Sequence, residues 1–600
     1  MLEDEIRDFG YSRHGNHNTS SLLRTTECHG SRRHEFPRQN LPSPGSYPSD
    51  ANQKYKGLVR QLPSPACTAI LLDTFFSAVN WQYDLIDEVS FREQLAAWES
   101  VWYADLQVAF ERLAPELLVF PALLLQVLAK ALLFHPPVDQ QILTLMTING
   151  MTFQDLAAEY SSAGAELLAV LGKRNITIAT VQASLLRASF LKSSGRVIEA
   201  WHTLGATIRD AQEIGLHTGR ALAQSSPRAS ERGAKYSNDD RHRLWVVLHI
   251  WDIHMAVVLG RPIATSLDLD MFAGTIEDDY RRHQLFSHWQ TEYDPPRPFD
   301  VILAGYNAAY RYFQDIHRLE QNGGRIQDYH MVERIDATIK RNLNLLPSWC
   351  RLENPSTKFD QTPGCQWLPF AREGLASLIH LVLLTLHRPY IFTVAKSRAK
   401  ALEAAISILQ EQETLFRQTE PYQSKIFNPV YASFDAIVLI AAIYLAFPNE
   451  SQERRPECLD VVEKGMQRLS LIGQHNAMAK SAHRVVRNLF HRLQHSSNVS
   501  DSAKDSMNTP ESPGLTSPTR HPPSSNVAFA GLSFDAILPP RPTHDLFYDN
   551  ISSPQVPAMN PLDCSVFDSP PTDTPNTWIF EGGFSDDSFW SFMNGVEPSD

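Results

Sequence analysis

Cysteine is scarce in this 600-residue chain, and the six present, Cys28, Cys67, Cys350, Cys365, Cys458 and Cys564, include no C-x-x-C pair. That spacing excludes a disulfide framework and points to reduced thiols inside a cell. It also excludes a zinc cluster, which needs six cysteines at C-x2-C-x6-C type spacing. His14, His17, Cys28, His29 and His34 cannot form a C2H2 finger either, since only one cysteine accompanies them. Positive charge is short as well: 54 Lys and Arg against 67 Asp and Glu leave a formal net charge of -13. A body of that sign does not grip nucleic acid by general attraction, because phosphate binding needs a concentrated basic face.

Other absences narrow the class further. The first residues, Met-Leu-Glu-Asp-Glu, are acidic and lack an apolar h-region, so no secretory signal is expected. The most apolar stretches are Leu117 to Phe134, interrupted by Pro121, Gln126 and Lys130, and Ala436 to Phe447. The second is too short for a hydrocarbon layer of roughly 30 Å, and both read as buried helices with no membrane partner. There is no G-x-x-x-x-G-K-[ST], no G-x-S-x-G, no H-E-x-x-H and no G-x-G-x-x-G after a strand. No enzyme is expected, and strand alternation is nearly absent.

What is present is helical periodicity over a long central region. From Ala69, Leu72, Phe75, Phe76 and Val79 fall on one stripe. Between Ile178 and Gly219, Val181, Leu185 and Ala188 mark one helix and Ile198, Trp201, Leu204 and Ile208 the next. Gly195 sits in the turn and Gly215 follows the second helix, where a left-handed residue suits glycine. This is an αα-hairpin. A polar segment, Ala221 to Asp239, precedes an amphipathic helix from Arg241 to Gly260 with the stripe Leu244, Val247, Leu248 and Trp251. Further helical patterns cover Leu303 to Leu319, Met331 to Leu345, Ala371 to His387, Ser397 to Phe416, Val430 to Phe447 and Cys458 to Leu493. The reading is an all-α fold, a large domain of packed αα-hairpins over residues 66–495, between disordered tails at 1–65 and 496–600.

Three phrases occur in order: the hairpin V-Q-A-S-L-L-R-A-S-F-L-K-S-S-G-R-V-I-E-A-W-H-T-L-G, the helix R-L-W-V-V-L-H-I-W-D-I-H-M-A-V-V-L-G-R-P, and L-V-L-L-T-L-H-R-P-Y-I-F. Together they resemble the middle homology, or regulatory, domain of fungal-specific transcription factors. The matching motif positions are Arg243, Leu244, Trp245, Asp252, Gly260, Arg261 and Pro262, with His387, Arg388 and Pro389 later in the chain. These positions read as parts that hold the fold together, glycine and proline stopping helices. His249, Asp252 and His254 invite a metal reading, but only the first two share a helix face.

The resemblance implies a nuclear regulator of RNA polymerase II genes. Its implied partners are DNA, directly or through another protein, a coactivator or the transcription machinery, a second copy of the chain, and a small-molecule effector. The family's zinc finger is absent from these residues. Zinc is therefore expected only if an upstream zinc-cluster segment is missing, and no other cofactor is expected. The alternative is a fingerless ligand-binding or scaffolding protein, acting through a DNA-bound partner or not on DNA.

After Arg541 no Lys or Arg remains, and carboxylates interleave with Trp578, Phe580, Phe584, Phe589, Trp590 and Phe592. Acidic groups keep such rings solvated and available to a partner's groove, so this tail reads as an activation segment. Ser-Pro pairs at Ser43, Ser64, Ser512, Ser517, Ser553 and Ser569 are candidate phosphorylation sites.

Overall fold

Every regular element among the described residues is a helix, as the periodicity predicts. The computed structural model describes residues 49–101, 113–136, 139–146, 150–173, 176–218, 238–267, 295–418, 427–474 and 476–505. Residues 500–583 form a separate unit, described only through the end of the last helix.

Helix α1 (Ser49–Val59) lies ahead of the expected start of order at residue 66. Tyr55 is fully buried there, and its hydroxyl donates to the Leu118 carbonyl at 2.9 Å. One aromatic anchor in a polar segment leaves no periodic signal, which is why its composition reads as a tail. Ser64 is also placed differently from expectation. It caps α2 (Pro65–Thr74), accepting from the Cys67 amide, so this Ser-Pro pair begins a helix. The other Ser-Pro pairs lie outside the described residues.

The Leu72 to Val79 stripe is not one regular α-helix, because α2 passes into a π turn at Phe75–Val79 and a 3-10 turn at Asn80–Gln82. Asn80 then closes the following loop. Its Nδ2 donates to the Ile86 carbonyl at 2.8 Å and its Oδ1 accepts from the Ile86 amide at 3.2 Å. Asp87 caps α3 (Glu88–Glu99) through the Ser90 amide at 2.8 Å.

Helix α4 (Pro115–Phe134) is the axis of this half, buried without a break from Leu118 to Phe134. By length and composition it could cross a membrane, as could residues 368–390, but here other helices cover it. After the short α5 (Gln140–Leu143), α6 (Phe153–Leu171) packs along α4. Thr152 and Asp155 form the capping box of α6, each side chain bonded to the other's amide. The approach is close at Gly164, where a Cβ would stand 2.7 Å from Gln126 Nε2 and 3.0 Å from the Ala122 carbonyl oxygen.

The expected hairpin is present as α7 (Ile178–Ser193) and α8 (Val197–Glu213). Gly195 and Gly215 adopt φ of 79° and 73°. The amides of Arg196 and Leu216 reach back to the Leu191 and Ala211 carbonyls, which satisfies the helix ends. The buried face of α8 differs from the expected stripe: it runs through Val197, Ala200, Leu204, Thr207, Ile208 and Ala211, while Ile198 and Trp201 are only half-buried. Ala200, Thr207 and Ala211 put small residues on that face, which packs against α7.

The matched motif helix is α9 (Asn238–Leu259). Beyond it come α10 (Pro298–Ala308), a 3-10 turn at Tyr310–Tyr312, α11 (Phe313–Gln321) and α12 (Tyr329–Leu343). Then follow α13 (Leu368–His387), α14 (Ala395–Gln418), α15 (Phe427–Ala446), α16 (Arg455–Ile472) and α17 (Ala477–Asp505). Helix α14 is the hub of this half, packed on α13, α15 and α16. Two stretches that read as single helices are each broken. Leu303 to Leu319 splits at Ala309, whose φ of -143° leaves the helical range. Cys458 to Leu493 splits after Ile472, and Asn476 Oδ1 restarts the chain by accepting from the Ala479 amide at 3.1 Å.

Candidate functional site

The family-motif residues sit at joints between elements. Arg243 is an ion-pair partner of Asp84, at 2.8 Å, and of Asp240, tying α9 to the loop before α3. Leu244 and Trp245 are buried beside it. Gly260 takes a φ of 63°, and the Arg261 amide reaches the Ala256 carbonyl at 2.8 Å, which ends α9. Arg261 lies 4.2 Å over the Trp201 ring, holding α8 to that stop. Asp252 Oδ2 then accepts from the Ala264 amide, the Thr265 amide and the Thr265 hydroxyl at 2.8, 2.7 and 2.8 Å, folding the chain after Pro262 back along α9.

His249 shares that junction, its Nδ1 2.8 Å from Thr265 Oγ1. Burial lowers its pKa to about 4, so it is neutral. His254 faces elsewhere and is pushed well below the usual range, first by burial and then by Lys192. Among the described residues no group of three His, Cys, Asp or Glu is arranged to hold a metal. Cys67, Cys350, Cys365 and Cys458 are free and buried, and burial pushes the Cys350 thiol up to about 12.

The later motif is another joint. His387 contacts Ser397 Oγ at 3.0 Å and Asp336 Oδ1 at 3.4 Å, linking α13 to α14 and α12. Arg388 forks between Glu320 at 2.6 Å and Asp435 at 3.2 Å, joining α11 to α15. Pro389 meets Gly324, where a Cβ would stand 2.6 Å from the Pro389 carbonyl oxygen. Trp578, Phe580, Phe584, Phe589, Trp590 and Phe592 lie outside the described residues.

Apart from these joints, the body holds a cavity of about 470 Å³, within the range of small-molecule sites. Trp81 and Tyr83 line it from the turn after α2, Ile250 and Trp251 from α9, Val301 from α10, and Trp367 and Phe370 from the start of α13. Rings set its walls. Trp81 stacks on Trp367 with centroids 6.2 Å apart, and Tyr83 meets Trp251 edge-on at 5.1 Å.

A second chamber of about 110 Å³ adjoins the first across Tyr83, Phe134, Trp251 and Tyr310. Among the described residues its lining adds Lys130, Ser189, Lys192, Ser193 and His254, and no Asp or Glu. Lys130 is 2% exposed and donates to Ser193 Oγ at 3.2 Å. The Lys192 ammonium lies 4.7 Å from the Trp251 ring centre. Burial lowers the pKa of each lysine to about 7, and Lys130 depresses Lys192 further.

Sequence reasoning noted Lys130 only as an interruption in an apolar run and passed over Lys192. A signal exists: a lysine inside a helix apolar on every side has no solvent to reach, so it must face a cavity or a partner.

Residues 72–274 match the model of the fungal specific transcription factor domain. Transcription factor xilB of Penicillium rubens is 25% identical over 258 residues, 42% of this chain and 35% of that protein. The Zn(2)-C6 fungal-type transcription factor mpsB of Macrophomina phaseolina is 24% identical over 240 residues, 37% and 30% of the two chains. Transcription factor yanR of Aspergillus niger is 25% identical over 364 residues, 55% and 42%. The matched part thus spans well under half the length of these relatives. A solved structure, the K. lactis CBF3 core, aligns at a TM-score of 0.41 and 14% identity over 76% of this chain and 97% of that one, a likeness too slight to carry an argument.

Proposed function

We propose that this chain, which belongs to the fungal-specific transcription factor family through the domain at residues 72–274, regulates RNA polymerase II genes in the nucleus. The observation that carries this reading is the domain match, supported by relatives named as transcription factors. The family is one of transcription factors, not enzymes. The motif residues act as fold joints that hold the helices of the body together. The regulator reaches DNA through a zinc-cluster segment outside these 600 residues, mpsB being named a Zn(2)-C6 type factor, or through a DNA-bound partner.

In this proposal the acidic-aromatic tail recruits the transcription machinery. Between residues 543 and 600 the sequence carries Asp and Glu but no Lys or Arg, with aromatic rings spaced among them. Fused to a foreign DNA-binding domain, residues 543–600 should activate a reporter gene. Replacing Phe589, Trp590 and Phe592 by Ala should remove most of that activity. A silent fusion, or one indifferent to the triple substitution, would exclude the tail as the activating segment.

A further inference from the structure

A folded chain has little reason to bury Lys130 beside an aromatic cavity unless something anionic belongs there. Taking an ammonium out of water is costly, and proteins normally offset it with a carboxylate. Elsewhere in this body that is what happens: Arg243, Arg372, Arg388, Arg398 and Arg468 all meet acids. Among the described residues no carboxylate reaches Lys130, which instead donates to the Ser193 hydroxyl and faces the Phe134 ring at 5.7 Å. Lys192 lines the same chamber, against the Trp251 face.

Trp251 also walls the larger cavity, as do Tyr83 and Tyr310, so the cationic end and the aromatic body are continuous. The larger chamber is lined mainly by Trp, Phe, Leu, Ile and Val, with Gln82 and Gln366 among its few polar side chains. The arrangement is that of a site for an amphipathic molecule with one acidic end.

We propose that this cavity binds a small carboxylic acid, with its apolar or aromatic body between Trp81, Trp251 and Trp367 and its carboxylate held by Lys130 and Lys192. The acid supplies the negative charge that the folded chain does not supply to Lys130. Bound, it keeps both ammonium groups charged and links α4, α7 and α9 on one side to α10 and α13 on the other. This deepens the regulatory reading, naming the chemical class of its effector. Binding is measured on the purified chain, so its failure leaves the reporter result standing.

The experiment uses full-length protein and a panel of aryl- and alkylcarboxylic acids, each paired with its primary amide, read by thermal shift and then calorimetry. The expected result is that several acids bind at least ten times more tightly than their amides. Lys130→Met, melting no lower than the parent, should abolish that preference, and Lys192→Met should abolish it as well. Trp251→Ala should weaken acid and amide alike. The proposal is overturned if no acid in the panel binds, if acids and amides bind equally, or if the preference survives both lysine substitutions in folded protein.

Discussion

Asp252 shows how one side chain can decide a local fold. Burial raises its pKa, and the three donors it accepts from, the Thr265 hydroxyl and two amides, pull the other way and keep a carboxylate usable there. Replacing it by alanine leaves the buried Thr265 hydroxyl and amide, and the Ala264 amide, without that acceptor. Asp252→Ala should therefore cost about 2–3 kcal/mol, since a buried polar group stripped of its partner loses roughly 1–3 kcal/mol. Urea unfolding measures the loss. Hydrogen exchange should show it locally, with the amides of Ala264 and Thr265 losing protection before the core of α4. Equal protection in both proteins would mean that the Gly260 stop and Pro262 alone hold this segment.

Among the elements of the first half, α4 and α6 share the most extensive contact. Gln126 Nε2 donates to the Ser161 carbonyl at 2.7 Å, the Ser161 hydroxyl donates to Gln126 Oε1 at 2.8 Å, and Arg187 Nη1 reaches the same hydroxyl at 2.7 Å. Three helices thus share one buried polar knot, and Gly164 lets them approach closely enough to tie it. A side chain there must displace the Gln126 amide. Gly164→Val should destabilise by about 1–3 kcal/mol, the usual cost of overpacking, by separating α4 from α6. Because α4 also carries Lys130, the same variant should weaken acid binding although residue 164 lines neither chamber. Denaturant midpoints and calorimetry check the two effects separately.

Over the whole molecule, the buried lysines set a pH dependence with a definite sign. Each has a pKa of about 7 when folded against 10.5 in the ordinary state. The unfolded chain therefore binds more protons between those values, and stability rises with pH across roughly pH 7–10. Among the described residues lining their chamber, the titratable groups from neighbouring elements are His254 on α9, already neutral, and Tyr83 and Tyr310, whose burial raises their pKa values. In the Lys130→Met, Lys192→Met double variant that slope should flatten. At pH 7 the variant should be more stable than the parent by about 1 kcal/mol or more, as when buried charges give way to apolar residues. Melting temperatures of both proteins from pH 6 to pH 10, compared by difference, test this; parallel curves would mean the lysines are solvated. A saturating acid should have the opposite effect on the parent, stabilising it most at the low end of that range, where the ammonium groups are charged.

The helical class, the αα-hairpin with its two left-handed glycines, the Gly-Arg-Pro stop and the buried nature of the Leu117 to Phe134 run are all legible in the order of residues. Those features are local: spacing of apolar residues, caps and φ preferences act within a few turns of chain. The break at Ala309, the seam of small residues on α8 and the helix anchored by Tyr55 were decided by packing partners far along the chain, and no window of neighbours encodes them. The cavity belongs wholly to that second kind. Trp81, Lys130, Lys192, Trp251 and Trp367 come from five separate segments, and each alone reads as a core aromatic or a stray charge. Only the tertiary structure sets two buried ammonium groups beside a ring-lined space, because the electrostatic cost that makes them informative exists only once water has been excluded.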